Sequence, residues 1–158
     1  MQKYVGVKLV EAAPMTRGDY NIMRGWTIPA DEDPNDEGYQ VVYSSGYVSW
    51  CPKDEFEKQN KQLFKQDNRI SQEDVDSWIK QLKIEEIEAP GTGAKITVVT
   101  ATLANGFSIT ESATCVDPEN YDIDLGVLSC MERIESKVWF LLGFLLASGS
   151  NGFTVKGV

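Results

Sequence analysis

Residues 102–122 read TLANGFSITESATCVDPENYD, a turn signal, a hydroxyl-rich segment and an acidic loop in succession. Asn105-Gly106 is the strongest short-range hairpin signal, because a type I′ turn needs positive φ at both central residues. The predicted two-residue turn sets Ala104 opposite Phe107 and Thr102 opposite Ile109, with strands ITVVTATL and FSITESAT on either side. The CVDPENYD segment then leads into a long apolar-periodic stretch, and whether it binds something is the question it poses.

Upstream, SQEDVDSWIKQL reads as a helix. Ser71 is its cap and Asp74 completes a capping box. Val75, Trp78, Ile79 and Leu82 fall at i, i+3, i+4 and i+7, one apolar stripe on a charged helix. APGTG (89–93) ends that region. Downstream, residues 124–147 carry Leu125, Leu128, Met131, Ile134, Val138, Leu141, Leu142 and Leu145 at helical spacing, with Trp139, Phe140 and Phe144 off the main stripe. That width exceeds what one small sheet covers, and burying such side chains is worth roughly 1.5–3 kcal/mol each. Self-association through this C-terminal helix follows as an expectation, with a complete intrachain core as the alternative. Its apolar run, VWFLLGFLLA, is half the length of about 20 residues that a bilayer demands, so no membrane span is expected.

The N-terminal third reads as a small α+β module. KYVGVKLVEA alternates like a partly buried strand, and MTRGDYNIMRGW gives a polar turn followed by two helical turns. Residues 29–38, PADEDPNDEG, form an acidic loop, and GYQVVYSSGYVSW is a hairpin around Ser44-Ser45-Gly46. Pro52 opens a helix over KDEFEKQNKQLFK. KQDNR at 65–69 is the expected boundary between an N-terminal module, 1–66, and a helix–hairpin–helix domain, 67–158. The tail GFTVKGV could add a short strand. The fold class is therefore α+β: small antiparallel hairpins packed on helices, with a long C-terminal helix.

Bulk chemistry removes several functions. The net charge of −9 opposes coating of duplex DNA. It still permits a small anionic ligand, because a few basic residues in one pocket can oppose the global field. No histidine is present, which rules out Ser-His-Asp and Cys-His devices and His-ligated zinc within one chain. Three cysteines without CxxC spacing give neither a disulfide framework nor a metal site, and point to a reduced compartment. No basic-then-apolar leader is read. No Walker loop or EF-hand is present, so no cofactor and no metal are expected.

The motifs carry a resemblance. Asn105-Gly106-Phe107, Glu111-Ser112, Cys115 through Asp122 and Lys137 through Leu146 (KVWFLLGFLL) resemble a family of small proteins of tailed phages and prophages. Its members share an NGF hairpin, an ES-x-x-C-V-D-P-E-N-[FY]-D loop and a K-[IV]-W-x-L-x-G-[FY]-L-L helix. Residues 14–57, from PMTRGDYNIMRGW to WCPKDEFE, are similar to an accessory module common in phage proteins. The size and phage character are similar to those of anti-defence proteins acting against Thoeris. Those are oligomeric sponges that sequester a cyclic ADP-ribose signal, and some bind cyclic oligonucleotides. The resemblance implies a homo-oligomeric, non-catalytic protein in the cytoplasm of the infected bacterial host, partnered by a nucleotide-derived signal.

The candidate ligand residues are read from the chain itself. A nucleotide-derived signal needs an aromatic wall, an amide edge and cations for phosphate. Phe107 at the hairpin mouth and Tyr121 could stack on a base; both are also ordinary core aromatics. Asn120 could pair with an adenine edge, or cap a turn. Arg133 and Lys137, i and i+4, could clamp a phosphate or simply form surface ion pairs. Arg17 and Arg24, beside Tyr20 and Trp26, give a second patch, or pin the acidic loop 31–37. A carboxylate-dependent hydrolase would have to use Glu111, Asp117, Glu119, Asp122 and Asp124. A phage structural protein, or an adaptor binding a host protein, would use an exposed patch at Trp26, Trp50 or Phe140.

Overall fold

The structure, a computed structural model, describes residues 1–63 and 69–154. The chain groups into two compact units, Met1–Gln62 with Leu146–Val158, and Leu63–Leu145. Both units are α+β, each built on one antiparallel three-stranded sheet. The boundary expected at 66/67 falls outside the described residues, as does most of KQDNR.

In the first unit, β1 (Val10–Pro14), β2 (Gly38–Tyr43) and β3 (Val48–Pro52) pair in that order. The residues before Val10 are not strand, and Tyr4 and Val5 are exposed. The alternation of KYVGVKLVEA therefore overstated the strand: only its last residues have a neighbour to pair with, Val10 opposite Tyr43. Helix α1 (Arg17–Arg24) starts where Thr16 accepts from the Asp19 N–H, and stops at Gly25 with φ 70°. It buries Tyr20 and Asn21 against a sheet that buries Val41. Helix α2 (Lys53–Gln59) follows Pro52 directly and is shorter than its sequence suggests, stacking Phe56 on Tyr39 at 4.3 Å between ring centres.

In the second unit, helix α3 (Gln72–Trp78) has the expected capping box: Ser71 takes the Asp74 N–H and Asp74 takes the Ser71 N–H. The helix ends at Trp78. Residues 79–82, read above as part of the same helix, instead begin strand β4 (Ile79–Glu88). This corrects both the helix and the hairpin: β4, β5 (Lys95–Leu103) and β6 (Ser108–Cys115) make a three-stranded meander. Lys, Gln, Leu and Glu favour helix locally. The competing gain is a ladder along the whole of β5, from Ile79 opposite Leu103 to Glu88 opposite Lys95. Tertiary pairing overrides local propensity here.

The Asn-Gly hairpin also differs from expectation. The Leu103 N–H donates to the Phe107 carbonyl and the Gly106 N–H to the Leu103 carbonyl, with Gly106 at φ 82°. This is a three-residue loop, a β-turn closed by a left-handed glycine, not a two-residue type I′ turn. The register slips by one residue, so Thr102 faces Ser108 and Ala101 faces Ile109. A one-residue slip exchanges faces, and it carries Ile109 onto the buried side with Val99, Ala101 and Leu103. The loop Ser44-Ser45-Gly46 has the same hydrogen-bond pattern, with Gly46 at φ 81°.

The long helix α4 (Ile123–Asn151) lays Cys130, Ile134, Val138 and Leu142 on this face, a stripe at i+4 steps that is fully buried. Asp122 caps its start by accepting from the N–H groups of Asp124 and Leu125. Gly126 lies so close to Thr97 that a Cβ would collide with its side chain. Among the described residues no helix is long and apolar enough to cross a membrane. Residues 155–158 of the tail lie outside the described set.

Candidate functional site

The sequence motifs meet on the inner face of the second sheet, and what they build is a fastening. Glu111 on β6 accepts from Arg133 Nε at 2.9 Å and from Lys137 Nζ. Arg133 further donates to the Ser112 carbonyl at 2.6 Å and the Ser129 hydroxyl at 2.8 Å. The Glu111 side chain is only 13% exposed, and the two cations, Lys137 first, hold its carboxyl below the usual carboxylate range. So the i, i+4 pair is directed inward at a protein carboxylate, and the ES and K-V-W motifs are two halves of one contact.

The acidic loop behaves likewise. Asp117 accepts from the Glu119 N–H and from the Asn120 side-chain amide, closing the single 3₁₀ turn Pro118–Asn120. Tyr121 shares a hydrogen bond with the Thr97 hydroxyl at 2.9 Å, and Lys95 lies over its ring. Lys95 in turn pairs with Glu86 at 2.8 Å, which keeps Glu86 below the usual carboxylate range. Asn120, Tyr121, Asp117 and Asp122 thus shape the loop and start α4.

Phe107 is 56% exposed at the hairpin end. The CVDPENYD loop leaves the opposite end of β6, roughly 25 Å away for eight residues at strand rise. The structure therefore does not bring Phe107 and Asn120 into one pocket. Of the seven candidate residues, Arg133 and Lys137 converge, Asn120 and Tyr121 are neighbours, and Phe107 stands apart.

Arg17 and Arg24 belong to the first unit. Arg17 makes a two-pronged contact with Glu32, at 2.6 and 2.8 Å, and lies over the Trp50 ring. Asn21 adds a third donor to Glu32, and its carboxyl is held low by Arg17 first. Arg17 therefore pins the acidic loop. Trp50 donates to the Met15 carbonyl and packs against Gly38, so it is not free for a partner. Arg24 instead lies over the Trp26 ring at 5.0 Å, beside exposed Ile22 and Met23. The chain thus presents Ile22, Met23 and Arg24 on the last turn of α1, and Trp26 just beyond its Gly25 cap.

A cavity of about 650 Å³ in the first unit went unseen in the sequence. Lys8, Tyr43, Ser44, Ser45 and Tyr47 line it, with Gly149 and Ser150. Lys8 lies 5.7 Å from the Tyr43 ring centre, and Tyr43 and Tyr47 are tilted neighbours at 5.7 Å. The tyrosines flank a turn legible in sequence, but Lys8 and the end of α4 reach it only through the fold. Among the described residues no cluster of three or more His, Cys, Asp or Glu is placed to hold a metal ion.

Fold and motif contacts together define a two-unit α+β protein whose longest motifs lock one helix onto one sheet. Residues 70–149, just over half of the sequence, match the Phage protein (N4 Gp49/phage Sf6 gene 66) family, and the chain belongs to that family. No curated protein and no solved structure matches it. It is a phage protein, and the match contains every residue of the Glu111–Arg133–Lys137 contact.

Proposed function

We propose that this phage protein acts by binding, without catalysis, as an adaptor for a host protein in the infected cell. The observation that carries the reading is the α1 patch. Ile22, Met23 and Trp26 are 68%, 46% and 52% exposed, and Arg24 lies over the Trp26 ring. Tryptophan and arginine are the residue types on which interface energy concentrates, typically 2 kcal/mol or more each. Of the acidic residues that an enzyme would need, Glu111 is an ion-pair partner and Asp117 and Asp122 are caps. Self-association through the outward side of α4, where Trp139, Phe140 and Phe144 are exposed, belongs to the same proposal. The test is cross-linking capture from host extract with the full chain and with Trp26→Ala. A discrete host protein retained by the first and lost, about 30-fold, with the second is the expected result. Equal recovery by both refutes the patch.

A second reading, sequestration of a nucleotide-derived immune signal, is favoured by the cavity at Lys8, Tyr43 and Tyr47. One cation, two aromatic rings and three serines are groups that suit a phosphorylated nucleoside. Native mass spectrometry with cyclic ADP-ribose isomers and cyclic oligonucleotides decides it. Intact ligand retained by the wild type and lost with Lys8→Ala supports sequestration; no uptake, or a hydrolysed product, removes it.

A further inference from the structure

We propose that β4 is a self-recognition edge: two copies pair their β4 strands antiparallel about a two-fold axis at Ile84, joining two three-stranded sheets into one of six strands. Among the described residues β4 is an outer strand, with β5 as its neighbour on one side and no strand on the other. The Leu103 N–H bonds to Phe107, so Leu103 and alternate residues of β5 serve β6. Thr102, Thr100, Val98 and Ile96 then serve β4 through Gln81, Lys83, Glu85 and Ile87. The backbone groups of Leu82, Ile84 and Glu86 consequently point away from the sheet. Their side chains share the face of Ala101, Val99 and Thr97, yet Leu82 and Ile84 remain 41% and 47% exposed.

The charge pattern of the strand specifies a second copy as the occupant. IKQLKIEEIE inverts its charge about Ile84: Lys83 precedes it and Glu85 follows it, while Lys80 and Glu88 repeat the relation four residues out. Lys83 and Glu85 already pair with each other within the strand at 2.9 Å; with Ile84 opposite Ile84, each also faces the opposite charge on the second copy, and each Lys80 approaches a Glu88. Leu82 comes opposite Glu86, whose carboxylate is already matched by Lys95 at 2.8 Å. The outward backbone groups of Leu82, Ile84 and Glu86 meet their own kind, which gives about six new ladder hydrogen bonds. Shifting the axis by one residue sets Lys83 against Lys83 or Glu85 against Glu85, and like charges directly opposed are destabilising. Lysine on an edge usually guards against pairing; here the inversion makes one register attractive and its neighbours repulsive. The pairing is isologous and closed, as expected of a dimer contact.

Hydrogen exchange and sedimentation of the full chain test this together. The wild type is expected to protect the Leu82, Ile84 and Glu86 amides in a concentration-dependent way. Lys83→Glu should weaken association at least about tenfold, because it opposes two pairs of like charges. Lys83→Glu/Glu85→Lys restores complementarity with the order reversed and should recover association to within about threefold of the wild type. That rescue separates a lost interface from a damaged fold. Unprotected amides in the associated state overturn the proposal, as does a Lys83→Glu chain that associates normally or a double variant that stays apart.

Discussion

Arg133 on α4 and Glu111 on β6, 22 residues apart, meet at 2.9 Å, and Lys137 one turn on joins the same carboxylate. The contact ties the helix to an outer strand of its sheet, where apolar packing alone thins out. Glu111→Gln should cost about 1–2 kcal/mol, since it weakens two charged hydrogen bonds while keeping the shape. Lys137→Met should cost less, because Arg133 remains. Urea unfolding midpoints at pH 7 rank the two, and equal losses would contradict the two-donor arrangement.

Acid should act through the same group. The carboxyls of Glu111, Glu86, Glu32 and Glu37 are all held low by Lys137, Lys95, Arg17 and Lys53 respectively. A lowered folded-state value contributes stability that is present above the unfolded value of about 4.3 and lost as pH falls through the lower folded one. Stability is expected to hold from pH 7 to about 5 and to decline below pH 4.3. Glu111→Gln should flatten that acid limb, measured as the slope of unfolding free energy against pH.

Gly126→Ala tests the seating of α4. The added methyl meets the Thr97 side chain, and Thr97 is wholly buried. Alanine is the better helix former by about 1 kcal/mol, so a surface glycine would gain from the change. Overpacking typically costs about 1–3 kcal/mol, and a net loss is expected. Thr97→Ala/Gly126→Ala, which removes the colliding hydroxyl, should return part of it; a melting temperature raised by Gly126→Ala would show that helix and sheet can part at little cost.

Gly106→Ala tests the hairpin loop. Gly106 sits at φ 82°, where a side chain is strained by about 1 kcal/mol or more. Asn105, whose side chain accepts the Phe107 N–H at 3.0 Å, should tolerate Ser, which keeps an acceptor but disfavours positive φ, with little loss. Comparing the two variants by thermal unfolding distinguishes the three-residue loop from a two-residue one. In a type I′ turn both positions would be sensitive.

What the sequence by itself determined was local. Ser71 with Asp74 is a chemical stop that acts within four residues, and the structure has it. The 123–151 helix was legible because its buried stripe repeats over many turns. The α+β class followed from those pieces. Residues 79–88 were not legible, since their helix propensity is genuine and only the unpaired edge of β5 outweighs it. The hairpin register depended on a single residue of loop length, which an Asn-Gly pair does not fix. The candidate site depended on tertiary structure most of all. Arg133 and Lys137 have the spacing of a phosphate clamp, but a sequence does not say which carboxylate lies across the helix. Glu111 does, because the meander carries β6 beneath α4, and the charge that a ligand would have met is matched within the protein.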